Sequence, residues 1–247
     1  MKRVTLILFM LLAGCATTTG PAVDKTKMAE GYYMKGLSHL QEKNYEMASV
    51  EFHRSIQTDD NYKQSYYGLG LISDYQGKLD DAAKFYQEAI DKDPDYSEAY
   101  NALGVVYFKQ QKWKESVKAF KKALSNKLYT TPHVPYLNMG DLYMAQKDYD
   151  KAIEAYRESK RFVNLELTMF KLGTALFEAG RTKEAVKEFQ EGVGAAPQNA
   201  DLRYSLAVAL LKDGNKKAAL AEFKKASELA PGSEIAQKAK DYIRTLR

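Results

Sequence analysis

The segment YYGLGLISDYQGKLDDAAKFYQEAIDKDP, residues 66–94, carries a spacing that returns throughout the chain. Gly70 is followed at twelve residues by Ala82, at sixteen by Tyr86, at nineteen by Ala89 and at twenty-four by Pro94. Outward from it, the glycine recurs as Gly36, Gly104, Gly140 and Gly173, with Ala207 in the sixth place, at intervals of 34, 34, 36, 33 and 34 residues. The small residue at twelve is Ala48, Ala82, Ser116, Ala152, Ala185 and Ala219, and the aromatic at sixteen is Phe52, Tyr86, Phe120, Tyr156, Phe189 and Phe223. A second small residue follows: Ser55, Ala89, Ala123, Ser159, Gly192 and Ala226. Two antiparallel helices approach closely only where side chains are small, and the aromatic fills the space left between them. Glycine inside a helix costs about 0.8–1 kcal/mol relative to alanine, so five of them at fixed spacing require a compensating packing gain.

Composition agrees with a helical reading. Of 247 residues 45% are hydrophobic, only 6 are proline, and no β-branched run alternates with polar residues, which points to an all-α fold with enough apolar material for a folded body. The formal charge of +5 falls to +3 if Lys2 and Arg3 are removed, too little for a nucleic-acid footprint. One local excess stands out: Lys109, Lys112, Lys114, Lys118, Lys121, Lys122 and Lys127 are opposed in their stretch only by Glu115. A solvated outer helix face is the simple reading of that run, and contact with anionic lipid head groups is the sharper one.

This repeat resembles the tetratricopeptide repeat, whose pattern Tyr66, Leu69, Gly70, Ala82, Tyr86, Ala89 and Pro94 reproduce. The resemblance runs from Ala29 to Gly232. It implies a right-handed superhelical solenoid of six repeats, 29–232, followed by a C-terminal capping helix in 233–247. Ser233 is placed to cap that helix, and Ile235, Ala239, Tyr242, Ile243 and Leu246 make one apolar stripe on it. The departures are Lys35 where leucine is usual, and Leu128 and Asn164 where proline would close the third and fourth repeats.

At the N-terminus, Met1-Lys2-Arg3 precedes an apolar run from Val4 to Leu12, then Leu12-Ala13-Gly14-Cys15. Nine residues are too few to span a bilayer, which needs about 20, so the run reads as the core of a signal peptide, 1–14. Leu12 to Cys15 resembles a bacterial lipobox, which implies that Cys15, the one cysteine of the chain, is lipidated, palmitate included, and becomes the new N-terminus. An ordinary cleaved signal with an incidental cysteine is the other reading. Ala16 after the cysteine, by resemblance to sorted lipoproteins, implies the periplasmic face of the outer membrane. Residues 15–28, rich in Thr, Gly and Pro, read as a lipidated, flexible tether.

No constellation suggests an enzyme or a cofactor. His39, His53 and His133 have no metal-ligand spacing, the glycines open no phosphate loop, and no small-molecule substrate is implied. The chain is read as a protein that binds protein. By the family resemblance the first helix of each repeat lines a concave groove. Its candidate partner-binding residues are Tyr33, Leu37, Tyr67, Leu71, Asn101, Val105, Phe108, Leu137, Met144, Phe170, Phe177 and Tyr204. A groove for the acidic tail of a heat-shock chaperone would need Lys, Arg and Asn at these places, and only Asn101 fits; an aromatic and aliphatic lining suits an amphipathic helix or an extended apolar segment. Packing against the next repeat is the plainer role for some of these side chains.

Leu128-Tyr129, Pro132, Asn138 and Gly140, in the interval that is two residues longer, together with the lipobox and six repeats, resemble the type IV pilus secretin pilotin family. That resemblance implies an outer-membrane lipoprotein with the pilus secretin subunit as partner, assisting secretin insertion and multimer assembly. A lipoprotein adaptor for cell-wall hydrolases, or a lipoprotein of the outer-membrane β-barrel assembly machine, would share the anchor and the fold.

Overall fold

The computed structural model describes residues 24–246. The expected signal segment 1–14, Cys15 and residues 16–23 of the tether lie outside the described residues. Among the described residues the elements are all helices: α1 (Lys25–Gln41), α2 (Tyr45–Thr58), α3 (Lys63–Tyr75), α4 (Leu79–Lys92), α5 (Ser97–Lys109), α6 (Trp113–Ser125), α7 (His133–Ala145), α8 (Tyr149–Phe162), α9 (Glu166–Glu178), α10 (Thr182–Ala195), α11 (Ala200–Lys212), α12 (Lys216–Leu229) and α13 (Glu234–Thr245). None of them is long and apolar enough to cross a membrane. Residues 25–28, which the sequence reading assigned to the tether, are helical: Asp24 caps α1 by accepting a hydrogen bond from the Lys27 amide, and this starts the helix one turn before Ala29.

The helices pair as six antiparallel hairpins, α1 with α2 through α11 with α12, and α13 packs on the last. The first helices of successive repeats also meet, α1 with α3, α5 with α7 and α9 with α11, whereas the second helices make no comparably close approach. Helices that converge on one side and splay on the other curve the stack, so the first helices line the concave face of a superhelix.

The spacing found in the sequence is the core itself. Ala48, Ala82, Ala152, Ala185 and Ala219 are fully buried, as are Phe52, Phe120 and Phe223. In five of the repeats the ring lies against bare glycine backbone of the opposing helix. A Cβ added at Gly70 would come within 2.5 Å of the Tyr86 ring, and one at Gly104 within 2.5 Å of Phe120, distances no side chain tolerates. Where serine replaces the small alanine, its hydroxyl finds a carbonyl across the hairpin: Ser116 donates to the Gly104 carbonyl (2.7 Å) and Ser55 to that of Ala29 (2.7 Å). In the sixth repeat, where Ala207 stands at the glycine place, α13 completes the packing by stacking Tyr242 on Phe223 at 4.7 Å between centroids. Ser233 caps α13 as the sequence indicated, accepting from the Ala236 amide at 3.1 Å. Thr131 caps no helix with its side chain; α7 instead begins behind Pro132, whose φ of −64° is already helical.

Glycines that meet a ring and glycines that meet solvent should therefore respond oppositely to the same substitution. Gly104→Ala should destabilise the fold by about 1–3 kcal/mol through overpacking against Phe120. Gly31→Ala, where an added Cβ meets nothing within 4 Å, should stabilise α1 by up to about 1 kcal/mol. Urea denaturation of the two variants reads the difference, and equal midpoints would refute the assigned packing.

Candidate functional site

The concave face is built from the exposed sides of the first helices. All twelve candidate groove residues are described, and every one is half-buried, with one side on the core and the other toward the groove. Four of the six aromatic ones rest on the core ring of their own repeat: Tyr33 on Phe52 (5.6 Å), Tyr67 on Tyr86 (5.4 Å), Phe170 on Phe189 (6.2 Å) and Tyr204 on Phe223 (5.6 Å). Leu37 packs in the first repeat and Leu71 in the second; Val105 and Phe108 cover the third, Phe108 lying 5.7 Å from Trp113. Leu137, Met144 and Phe177 lie on the core of repeats four to six, where Phe177, Thr174, Tyr204 and Val208 line an open cleft.

Two acidic side chains of the groove are paired across neighbouring repeats. Asp74 pairs with Lys109 at 2.6 Å, which takes Lys109 out of the basic run on α6. Asp141 accepts from the Tyr156 hydroxyl and from Lys171, each at 2.6 Å. Asn101, the single clamp-like residue, accepts a hydrogen bond from the Asn138 amide at 3.0 Å. The groove is therefore mainly apolar and aromatic, with one amide pair at its middle and Lys212 4.3 Å over the Phe177 ring.

Three tyrosines that the sequence reading left out belong to this surface. Tyr62 meets Tyr33 at 5.6 Å and Tyr96 meets Tyr67 at 5.6 Å, each from the start of the next repeat. Both stand twenty-six residues after a ruler glycine, a recurrence that would have pointed to them. Tyr129, from the long connector before α7, stands near enough to Tyr67 that its ionised form would act on it. Lys63 sits 4.7 Å above the Tyr96 ring while pairing with Asp93, whose carboxyl is held below its usual range by the hydrogen bond from Lys63. Among the described residues no three His, Cys, Asp or Glu side chains come together as a metal site.

Burial raises the hydroxyl pKa of Tyr67 to about 12, and those of Tyr86, Tyr96 and Tyr156 also rise, mainly by burial. A tyrosine whose folded pKa exceeds its unfolded value of about 10 supports the fold fully below pH 10, and that support is lost as pH climbs through the folded pKa. The urea midpoint should then fall between pH 10 and about pH 12, and Tyr67→Phe, with no phenol to ionise, should flatten the fall. An equal slope in the wild type and the variant would show that Tyr67 is not held in a dry environment.

Comparison with known proteins follows the same repeats. Tetratricopeptide-repeat models match residues 29–62, 97–127, 135–162 and 170–234, and a TPR repeat model matches 75–111. Among curated proteins, the chain is 26% identical over 108 residues to the human (Homo sapiens) intraflagellar transport protein 88 homolog, covering 41% of this chain and 13% of that protein. It is 30% identical over 92 residues to the peroxisomal targeting signal receptor of Saccharomyces cerevisiae, covering 37% and 15%. The chain thus spans no more than 15% of the length of either relative. Solved structures match more fully. Pseudomonas aeruginosa PilF superposes with a TM-score of 0.75 at 19% identity, over 88% of this chain and 98% of that one. PilW, described as a widely conserved type IV pilus biogenesis factor, gives 0.76 at 20% identity, over 87% and 99%. YrrB, a TPR protein with an unusual peptide-binding site, gives 0.62 at 23%, over 77% and 97%. At these identities the likeness is one of fold, and with repeat models matching between residues 29 and 234 the chain belongs to the tetratricopeptide-repeat proteins.

Proposed function

We propose that this chain is an outer-membrane lipoprotein of type IV pilus biogenesis whose concave groove binds a segment of the pilus secretin subunit and assists its insertion and multimer assembly. The observation that carries the reading is the match, at nearly the full length of PilF and PilW, of a solenoid with the same extent. Two features of this chain support it. Within the stretch Leu128 to Gly140, Asn138 donates to Asn101, so one residue of the pilotin resemblance lies in the groove. The Leu12-Ala13-Gly14-Cys15 sequence supplies an anchor on the periplasmic face of the outer membrane. An adaptor for cell-wall hydrolases, or a β-barrel assembly subunit, would use the same anchor and groove with a different partner.

The anchor is tested by Cys15→Ser, which should move the protein from the outer-membrane fraction to a soluble periplasmic or uncleaved form; unchanged outer-membrane residence would overturn the assignment. The groove is tested at Phe108 and Phe177, since Tyr67 is wedged between Tyr86 and Tyr96 and a charge there would enter the core. Buried aromatic anchors contribute about 2 kcal/mol or more to an interface, so Phe108→Ala with Phe177→Ala should weaken secretin binding at least tenfold while far-UV circular dichroism stays unchanged. In cells the same variant should reduce detergent-resistant secretin multimers at normal monomer level. Multimers at wild-type abundance in a complete deletion would refute the pilotin function and favour the hydrolase adaptor.

A further inference from the structure

The connectors between repeats all lie along one edge of the solenoid, and a line of contacts runs down it. Thr26 in the first turn of α1 donates to Asp59 (2.8 Å), Lys92 reaches Asp60 (3.4 Å), and the Asn126 amide donates to the Asp95 carbonyl (2.9 Å). Farther along, the Asn199 amide donates to Glu166 (3.1 Å). Most of this edge is polar: Asp59-Asp60-Asn61, Asp93-Pro94-Asp95 and Pro197-Gln198-Asn199. The two connectors flanking the fourth repeat are not. Leu128 is 87% exposed and Phe162 53% exposed, and Val163, Leu165 and Leu167 are exposed beside Phe162. Phe162 stacks on Tyr136 at 5.9 Å, and Tyr136 shares a cleft with Lys121 from the end of α6. Lys121, Lys122 and Lys127 are exposed, and among the described residues none of them is in an ion pair.

We propose that this edge is a membrane-contact surface, in which Leu128 and the Phe162–Leu167 turn insert their apolar tips at the head-group level of an anionic phospholipid layer while Lys121, Lys122 and Lys127 bind the phosphates. Exposed aliphatic and aromatic tips with unpaired lysines on the adjoining end of α6 are the chemistry of interfacial binding, at places where the sister connectors carry Asp, Asn and Pro. The occupant follows from where the chain leaves the fold. Asp24 and the start of α1 stand on this same edge, through Thr26 and Asp59, and the eight residues from Ala16 to Val23 span at most about 30 Å. If the proposed anchor at Cys15 holds, it therefore tethers the solenoid to the bilayer from this edge. The surface adds a second, weaker membrane attachment that sets which way the groove opens.

Trp113 is the only tryptophan, so Trp113→Phe with Leu128→Trp places a single reporter at the tip. The full chain is mixed with phosphatidylcholine vesicles with or without one quarter phosphatidylglycerol, and flotation is scored beside fluorescence. Residue 128 emission should shift to the blue and be quenched by brominated lipid only on the anionic vesicles. Lys121→Glu with Lys122→Glu and Lys127→Glu should cut that quenching about tenfold or more. Phe162→Trp in the same background repeats the measurement from the other connector if the first variant does not fold. Protein that floats with a water-like emission at both positions would overturn the membrane surface while leaving the anchor standing. Protein that floats only with anionic lipid and shows the blue shift would keep the surface and remove the anchor. A shift that appears without vesicles as protein concentration rises, or only on adding secretin, would overturn the proposal in favour of a second copy or a protein partner.

Discussion

Everything in this molecule hangs on an aromatic ring laid against a helix backbone that has no side chain in the way. In five of six repeats the ring of the second helix occupies the volume a Cβ would take at Gly36, Gly70, Gly104, Gly140 or Gly173. The contact sets how near the two helices lie, and helix separation in turn fixes where each residue of the first helix points. Repeating it at intervals of 33 to 36 residues turns a local fit into a stack, since each hairpin has one apolar side left over and only the next hairpin to cover it. The stack then needs an end, and α13 supplies it by setting Tyr242 on Phe223.

The groove inherits its rigidity from the same rings. Tyr33, Tyr67, Phe170 and Tyr204 each lean on the core aromatic of their own repeat, so the concave surface proposed to meet a partner is the outer side of the packing core and not a layer added to it. Such side chains are already ordered before a partner arrives, which lowers the entropy cost of binding. The pairing of Asp74 with Lys109 and of Asp141 with Lys171 acts similarly, because charges that satisfy each other across adjacent repeats neither repel an apolar segment nor select a charged one.

Residues governed by the ring contact were legible in the sequence, because that contact demands one residue type at one distance. The glycine, small and aromatic positions all fall where the spacing put them. Features that depend on several weak demands were not legible. The turn between paired helices requires a left-handed residue; Gly77, Gly180 and Gly214 supply it, but Lys43, Gln111 and Lys147 hold φ near +58° at the equivalent places, and nothing in those residue types announces it. Lys109 belonged to a basic run by sequence and to Asp74 in space, a pairing across 35 residues that no local pattern encodes. Residues 25–28 look like tether by composition, yet Asp24 caps them into α1, since one well-placed acceptor outweighs a polar composition.

The same division explains why fold and partner separate so cleanly. About 20% identity is enough to keep a TM-score near 0.75 with PilF and PilW, because the ring contact uses few positions and leaves the rest free to change. Information about the partner must then sit where the repeat's own requirements stop, in the concave faces of the first helices and in the connectors. Proline closes the second, fifth and sixth repeats, whereas the first ends in the polar Asp59-Asp60-Asn61 and the third and fourth have Leu128 and Asn164 in its place. Those two connectors are also the ones that flank the fourth repeat with exposed leucine, valine and phenylalanine. Apolar side chains exposed together at neighbouring turns gain nothing from the solenoid's own packing, which is why the proposed membrane contact is placed there.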